Sequence, residues 1–118
     1  MTSVRRVLGT WGERTAEAYL RVCGITVIDR NWRRRDGEID LVALDGETVV
    51  FCEVKTRRST AYGTGAEAVA GLKAQRLRRL AAAWLAEHRR HGPVRFDVVS
   101  ITPVRRGEPR IDHVRGAF

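Results

Sequence analysis

The chain has 118 residues, of which 43% are hydrophobic and 31% charged, a balance typical of a globular chain and not of a disordered one. This length predicts a single domain over residues 1–118. The longest apolar run, at 80–86, is too short to cross a bilayer, and the first residues lack the apolar core of a secretory signal. Cys23 and Cys52 show neither metal-ligand spacing nor a disulfide framework, so we expect a cytoplasmic protein without membrane association.

The formal net charge of +8 predicts attraction to polyanions, and nucleic acid is the commonest of these in a cytoplasm. Arginine supplies nearly all of this charge, since Lys55 and Lys73 are the only lysines among 22 basic residues. An arginine is always protonated, whereas a lysine is a compact charge whose pKa can be tuned. The two lysine positions therefore indicate places where a compact, adjustable amine is needed.

Apolar periodicity and turn signals predict two helices and five strands. A helix over 4–23 ends at Gly24, and a β-rich run at 25–29 precedes a basic stretch. The later elements are a hairpin of strands 38–44 and 48–55, a polar loop at 57–65, a helix from about 66 to 91, and strands at 94–101 and 109–114.

This αβββαββ order predicts an α/β sandwich. The hairpin strands are antiparallel, and the second helix is long enough for a right-handed crossover between strands 48–55 and 94–101. Those two strands should therefore be parallel. We expect a mixed sheet flanked by helices.

Charged residues interrupt the apolar runs of the predicted hairpin. With Asp45-Gly46 as the loop, the cross-strand pairs are Leu44 with Glu47, Val42 with Val49, and Asp40 with Phe51. Glu53 is then a diagonal neighbour of Asp40 on one face, with Lys55 one step further along. A one-residue slip would separate the two carboxylates. The side chains expected on the other face, in the larger core, are Ile39, Leu41, Ala43, Val50, Cys52 and Val54.

Two neighbouring carboxylates in a partly apolar setting repel each other unless a cation lies between them. Mg²⁺, which favours one or two carboxylates, waters and a substrate phosphate, is one solution; surface ion pairs with arginines are the other. Glu13 has no partner at i±4 on the first helix, so it is free to reach across to the sheet. Lys73 lies within the apolar stripe of the second helix, where it either extends its amine to solvent or pairs with negative charge on the sheet.

Several segments together resemble the YraN-like family of small bacterial proteins, which belongs with the PD-(D/E)XK nuclease-fold superfamily and is distantly similar to archaeal Holliday-junction resolvases. These segments are GTWGERTAEAYL at 9–20, NWRRRDGEIDLVA at 31–43, FCEVKTR at 51–57, the helix that carries Lys73, and RFDVV at 95–99. The resemblance implies a restriction-endonuclease-like core. The leading proline of the superfamily motif is absent here, since Ile39 precedes Asp40.

The resemblance also implies roles for individual residues. Asp40, Glu53 and the main-chain carbonyl of Val54 would hold Mg²⁺, with Mn²⁺ as a substitute, and Glu13 would complete or support the site. Lys55 would orient or activate the attacking water and offset charge on the phosphorane. Glu38 would either support the metal ligands or pair with nearby arginines. The implied reaction is hydrolysis of phosphodiester bonds in DNA, including branched DNA.

Two arginine clusters are predicted to contact phosphates because both lie at the end of the hairpin that holds the acids. They are Arg33, Arg34 and Arg35, and Arg57 with Arg58. The arginines at 89–90 and 105–106 are interpreted as solvated surface. Tyr62 and Trp32 are candidates for stacking on bases, with a core role equally open for Trp32.

Three classes of function are consistent with these features: a Mg²⁺-dependent endonuclease, a non-catalytic nucleic-acid-binding protein with the same fold, and a basic ribosomal-type protein. The intact set of Glu13, Asp40, Glu53 and Lys55 favours the first. Asp97 is interpreted as a structural partner of Arg95 or another neighbour. A homodimer would place two sites on one duplex.

Overall fold

The structure is a computed structural model that describes the main chain of residues 4–57 and 71–118 and the side chains of 9–57 and 71–118. Its elements are α1 (Val4–Val22), β1 (Thr26–Arg34), β2 (Gly37–Asp45), β3 (Thr48–Thr56), α2 (Leu72–Glu87), β4 (Val94–Thr102) and β5 (Arg110–Val114). The strands form one sheet in the order β1-β2-β3-β4-β5. Strands β3 and β4 are parallel and the other neighbours are antiparallel, so the predicted mixed α/β sheet flanked by helices is confirmed.

Each helix covers its own face of the sheet. Helix α1 buries Ala16 and Leu20 against one apolar cluster, and α2 buries Leu77, Leu80 and Trp84 against the other. The sheet residues of the first cluster are Leu41, Ala43, Val50, Cys52, Val99 and Ile101, and those of the second are Trp32, Ile39, Val42, Val49 and Phe51. The alternation of β2 and β3 between two covered faces explains why both strands are apolar in most positions.

The hairpin register differs from the predicted one by two residues. Asp45 pairs with Thr48 and Leu44 with Val49, so the loop is Gly46-Glu47 and not Asp45-Gly46. Gly46 has φ 61°, which suits the first loop residue of a type II′ hairpin turn. Because side chains alternate with period two, this even shift keeps the residues of the paired ladder on their predicted faces. It also places Asp40 directly opposite Glu53 when the register is continued, instead of diagonal to it.

Ile39 is the exception to the predicted division of faces, because it packs in the cluster under α2 and not with Leu41. The β2–β3 ladder ends at the pair of Leu41 with Cys52, shortly before this point. Beyond it the N–H of Val54 donates to the Asp40 carboxylate. The regular alternation therefore stops where the acidic residues begin.

The ends of two elements also differ from prediction. Strand β1 continues to Arg34, past the predicted end at 29, and pairs along this length with β2. Helix α2 ends at Glu87, before the predicted end at 91, and Arg89 follows with φ 52°. The predicted loop at 57–65 and the predicted helix start near 66 lie outside the described residues, apart from residue 57. No helix among the described residues combines the length and apolar character that a bilayer crossing requires.

Candidate metal centre

Three carboxylates converge at the open end of the β2–β3 hairpin. Glu13 comes from α1, and Glu38 and Asp40 come from β2; one oxygen of each lies within 4.8 Å of the others. Helix α1 approaches the sheet closely here, since a Cβ on Gly12 would lie only 2.0 Å from the Thr56 hydroxyl oxygen. The predicted reach of Glu13 from the helix to the sheet is confirmed.

The environment of Asp40 and Glu13 makes their negative charge unfavourable. Burial raises the pKa of Asp40 to about 8, with the nearby charge of Glu53 adding to the effect and the hydrogen bond from Val54 opposing it. Burial also raises the pKa of Glu13, where the hydrogen bond from Asn31 opposes the shift and Glu38 adds to it. Hard oxygen donors that repel one another in this way fit Mg²⁺ or Mn²⁺, because a divalent cation removes the repulsion.

Glu53 is buried beside this cluster and is paired with both lysines of the chain. Its Oε1 lies 2.9 Å from Lys73 Nζ and 3.3 Å from Lys55 Nζ. Burial, together with the neighbouring Lys73, lowers the pKa of Lys55, and Glu53 opposes this. The pKa of Lys73 is raised. Burial opposes this shift, but the hydrogen bonds of Lys73 with Glu53 and Lys55 together outweigh the effect of burial. Of the two alternatives for Lys73, pairing with charge on the sheet is therefore the one observed.

A pocket of about 250 Å³ connects the carboxylates with Lys73 under α2. Asp40, Glu53 and Lys73 line it, and Glu38 lines both this pocket and a second one of about 480 Å³ on the α1 side. The main chain of Val54 reaches Asp40 through its N–H, whose nitrogen lies 2.8 Å from Oδ2. The role predicted for the Val54 carbonyl stays a prediction.

The predicted arginine clusters have different surroundings. Arg33 pairs with Glu38 at 2.7 Å, which is the ion-pair alternative for that glutamate. Arg34 pairs with Glu87 and lies over the Trp32 ring, 4.0 Å from its centroid. Arg35 is exposed, Arg57 is partly buried, and Arg58 and Tyr62 lie outside the described residues.

Trp32 has the core role that its sequence left open. It is 9% exposed, and its indole nitrogen donates to Glu87 at 2.9 Å. Its rings are therefore held in the cluster under α2, and base stacking by Trp32 is not supported.

Asn31 was not among the predicted site residues, yet the structure places it against the acidic cluster. It has φ 49° inside β1, and its carboxamide faces Glu13 and Glu38. In the sequence, only the residue type could have indicated this conformation, since asparagine tolerates the left-handed region better than most other non-glycine residues.

Asp97 has the structural role predicted for it. It is fully buried, and Arg95, His113 and the N–H of Gly116 all bond to its carboxylate. Burial alone would raise the pKa of Asp97, but these hydrogen bonds outweigh it and lower the pKa to about 2. His113 Nε2 lies 2.7 Å from Asp97 Oδ2, so the imidazole belongs to this buried network.

The fold and site together define an α/β protein with a candidate acidic centre for a divalent metal. The chain belongs to the family described as "Uncharacterised protein family UPF0102", whose model matches residues 12–101. A UPF0102 protein of Frankia casuarinae is 55% identical over 112 residues, covering 94% of this chain and 95% of its own. UPF0102 proteins of Frankia alni and Rhodococcus opacus are 56% and 54% identical, over 94% of this chain in both cases and 93% and 95% of their own.

Proposed function

We propose that this protein is a metal-dependent endonuclease of the PD-(D/E)XK type that hydrolyses phosphodiester bonds in DNA. The observation that carries the proposal is the convergence of the Glu13, Glu38 and Asp40 carboxylates next to a glutamate–lysine pair. A phosphodiesterase site of this type needs acids to bind a metal and an amine close to the phosphate. The net charge of +8 supports a polyanionic substrate.

Glu13, Glu38 and Asp40 are the residues that would hold Mg²⁺ or Mn²⁺, and Glu53 and the Val54 carbonyl are the further proposed ligands. The bound ion would polarise the phosphate and lower the pKa of a bound water. The protein would position the phosphate and exclude competing water within the pocket under α2.

Lys55 is the proposed catalytic amine. Its pKa is lowered by burial, so its ammonium releases a proton more readily than that of an exposed lysine. Donation from Nζ would orient the attacking water or offset charge that develops on the phosphate oxygens. An arginine would supply the charge without this adjustable proton.

The test is to incubate the purified chain with linear, flapped and four-way DNA in Mg²⁺, in Mn²⁺ and in chelator. We expect metal-dependent cleavage that Asp40→Asn, Glu53→Gln and Lys55→Met each reduce by about 100-fold or more, with DNA binding retained. Glu47→Gln is the matched control, because Glu47 is an exposed acid in the loop at the other end of the same hairpin. Its cleavage rate should equal that of the unaltered chain.

Cleavage that persists in chelator, or that survives Asp40→Asn at full rate, would contradict the proposed site. The comparison of linear, flapped and four-way DNA would also decide whether branched substrates are preferred.

A second candidate is a nucleic-acid-binding protein that does not cut. One observation favours it: the chain's own cations neutralise two of the acids, with Glu53 bound to Lys55 and Lys73, and Glu38 bound to Arg33. DNA binding that is unaffected by metal, chelator or Asp40→Asn, with no product from any substrate, would favour this candidate.

A further inference from the structure

Asn31 has a main-chain conformation that is unusual for its position. It lies inside β1 with φ 49°, in the left-handed region that side-chain-bearing residues rarely adopt. The strand nevertheless pairs with β2 on both sides of it, since Arg30 pairs with Leu41 and Trp32 with Ile39. Backbone strain of this kind persists where the surrounding structure requires it, and it concentrates at functional sites.

This main-chain conformation goes together with a side chain of Asn31 that points toward Glu13 and Glu38. With its NH₂ group toward the acids, the Asn31 nitrogen lies 2.8 Å from Glu38 Oε1 and 3.1 and 3.2 Å from the two oxygens of Glu13. A single neutral amide thus contacts a carboxylate on α1 and another on β2. Arg33 binds the other oxygen of Glu38, Oε2, so the amide and the guanidinium contact different atoms of that carboxylate.

We propose that Asn31 is a positioning residue that holds Glu13 and Glu38 facing Asp40 and so assembles the metal site. Its amide protons bond to both carboxylates, which lowers the cost of bringing like charges together before a cation binds. The inference rests on the proposed metal centre and is independent of whether DNA is cut.

The first experiment measures Mn²⁺ binding by calorimetry in the full chain. Asn31→Gly removes the carboxamide while keeping a residue that adopts the left-handed conformation without strain. We expect Mn²⁺ binding about tenfold weaker or more, because residues that orient metal ligands typically contribute that much to affinity.

Arg89→Gly is the matched control. Arg89 is the other non-glycine residue with positive φ among the described residues, and it follows α2 on the exposed surface. Substitution there relaxes the same strain, so Tm should rise or stay level and Mn²⁺ binding should not change. If Arg89→Gly and Asn31→Gly weaken Mn²⁺ binding equally, the proposal is wrong.

The second experiment needs neither metal nor DNA. Without metal, Asn31→Gly should lower Tm, because Glu13 and Glu38 then repel each other without a shared donor. In a chain that already carries Glu13→Gln, this repulsion is absent, so Asn31→Gly should lower Tm much less. Equal losses of Tm in the two backgrounds would overturn the positioning role.

The two proposals fail in distinguishable ways. Weakened Mn²⁺ binding by Asn31→Gly, in a chain that cuts no DNA, would support the role of Asn31 and contradict the endonuclease. DNA cleavage and Mn²⁺ binding that are both unaffected by Asn31→Gly would support the endonuclease and overturn the role of Asn31.

Discussion

Asp40 is a partly buried carboxyl group whose neighbours are Glu13, Glu38, Glu53 and the N–H of Val54. A pKa of about 8 means that this group carries a proton at neutral pH in the metal-free protein. Metal binding must displace that proton. We therefore expect Mn²⁺ affinity to rise with pH up to about pH 8 and to level off above it, as titration at a series of pH values would show.

Asp40→Asn should stabilise the metal-free protein at alkaline pH. The folded-state pKa of about 8 lies above the ordinary aspartate pKa of 3.8, so the folded state binds more protons between these values and stability falls as pH rises through them. Asparagine has no charge to bury. We expect Tm at pH 9 to increase by about 4 °C or more, with little change at pH 4.

The measurement is thermal unfolding of both chains in chelator between pH 4 and pH 9. Glu47→Gln serves again as the control, since the exposed Glu47 should alter neither Tm nor its pH dependence. An Asp40→Asn chain that is less stable than the unaltered chain at pH 9 would contradict the assignment of Asp40 as a destabilising buried acid.

At the scale of elements, the contact between α1 and β3 sets the position of Glu13. Gly12 precedes Glu13 and leaves no room for a side chain, because a Cβ would lie 2.0 Å from the Thr56 hydroxyl oxygen and 3.3 Å from its Cβ. Helix α1 can approach the sheet this closely only without a side chain at that position. Gly12 therefore contributes to the geometry of the site, although it has no side chain that could bind a metal or a substrate.

Gly12→Ala should displace α1 from β3 and move Glu13 away from Asp40. We expect Mn²⁺ binding about tenfold weaker and a loss of about 1–3 kcal/mol in the free energy of unfolding, as for other overpacked positions. Gly9→Ala on the same helix is the control, since a Cβ added there would meet no atom within 4 Å and alanine favours a helix. If both substitutions give the same Tm and Mn²⁺ affinity, the close packing at Gly12 has no part in the site.

The order of the elements, the β2–β3 hairpin and the parallel pairing of β3 with β4 could be predicted, because periodicity, turn residues and the length of the crossover can be read from the sequence. The predicted position of the hairpin loop was wrong by one residue. Asp45-Gly46 and Gly46-Glu47 are both acceptable loops, and only the pairing energy of the whole hairpin selects between them. The paired residues stayed on their predicted faces because a register shift of two residues preserves the alternation of side chains. Ile39 lies on the opposite face from the predicted one because the β2–β3 ladder ends close to it. Sequence periodicity does not show where a ladder ends.

The candidate site, too, could be predicted only in part. Residue types and spacing indicated Asp40, Glu53 and Lys55, and an absent helical partner indicated Glu13. Spacing along the strand did not show that Glu38 joins Glu13 and Asp40, nor that Glu53 is held by two lysines. The Asn31 contact depends on a single backbone torsion, and sequence patterns report such torsions only as a residue preference.

At the scale of the whole molecule, the net charge of +8 makes any nucleic-acid complex dependent on salt. Each arginine that neutralises a phosphate releases bound counterions, so affinity for DNA should fall steeply between about 50 and about 200 mM salt. Arg35 lies exposed in the turn between β1 and β2, the strand that carries Glu38 and Asp40, whereas Arg105 lies between β4 and β5. Under the proposed function, we expect phosphate contacts from the first and not from the second.

Arg35→Ala should therefore reduce the slope of log affinity against log salt by about 1, and Arg105→Ala should leave it unchanged. Both variants lose one exposed positive charge, so the pair separates a direct contact from the effect of net charge. Fluorescence anisotropy with labelled DNA at several salt concentrations would measure the slopes. Equal slopes for the two variants would contradict a phosphate contact at Arg35.

Strand β1 is an edge of the sheet, and its irregular backbone has a consequence beyond the acidic centre. A long, regular edge offers unpaired N–H and C=O groups on which another copy of the chain could add a strand and begin to aggregate. The register shift between Val27 and Asp29, the left-handed Asn31, and the charged arginines along β1 all interrupt that template. We therefore expect the same distortion that turns an amide toward the carboxylates to disfavour strand addition at this edge.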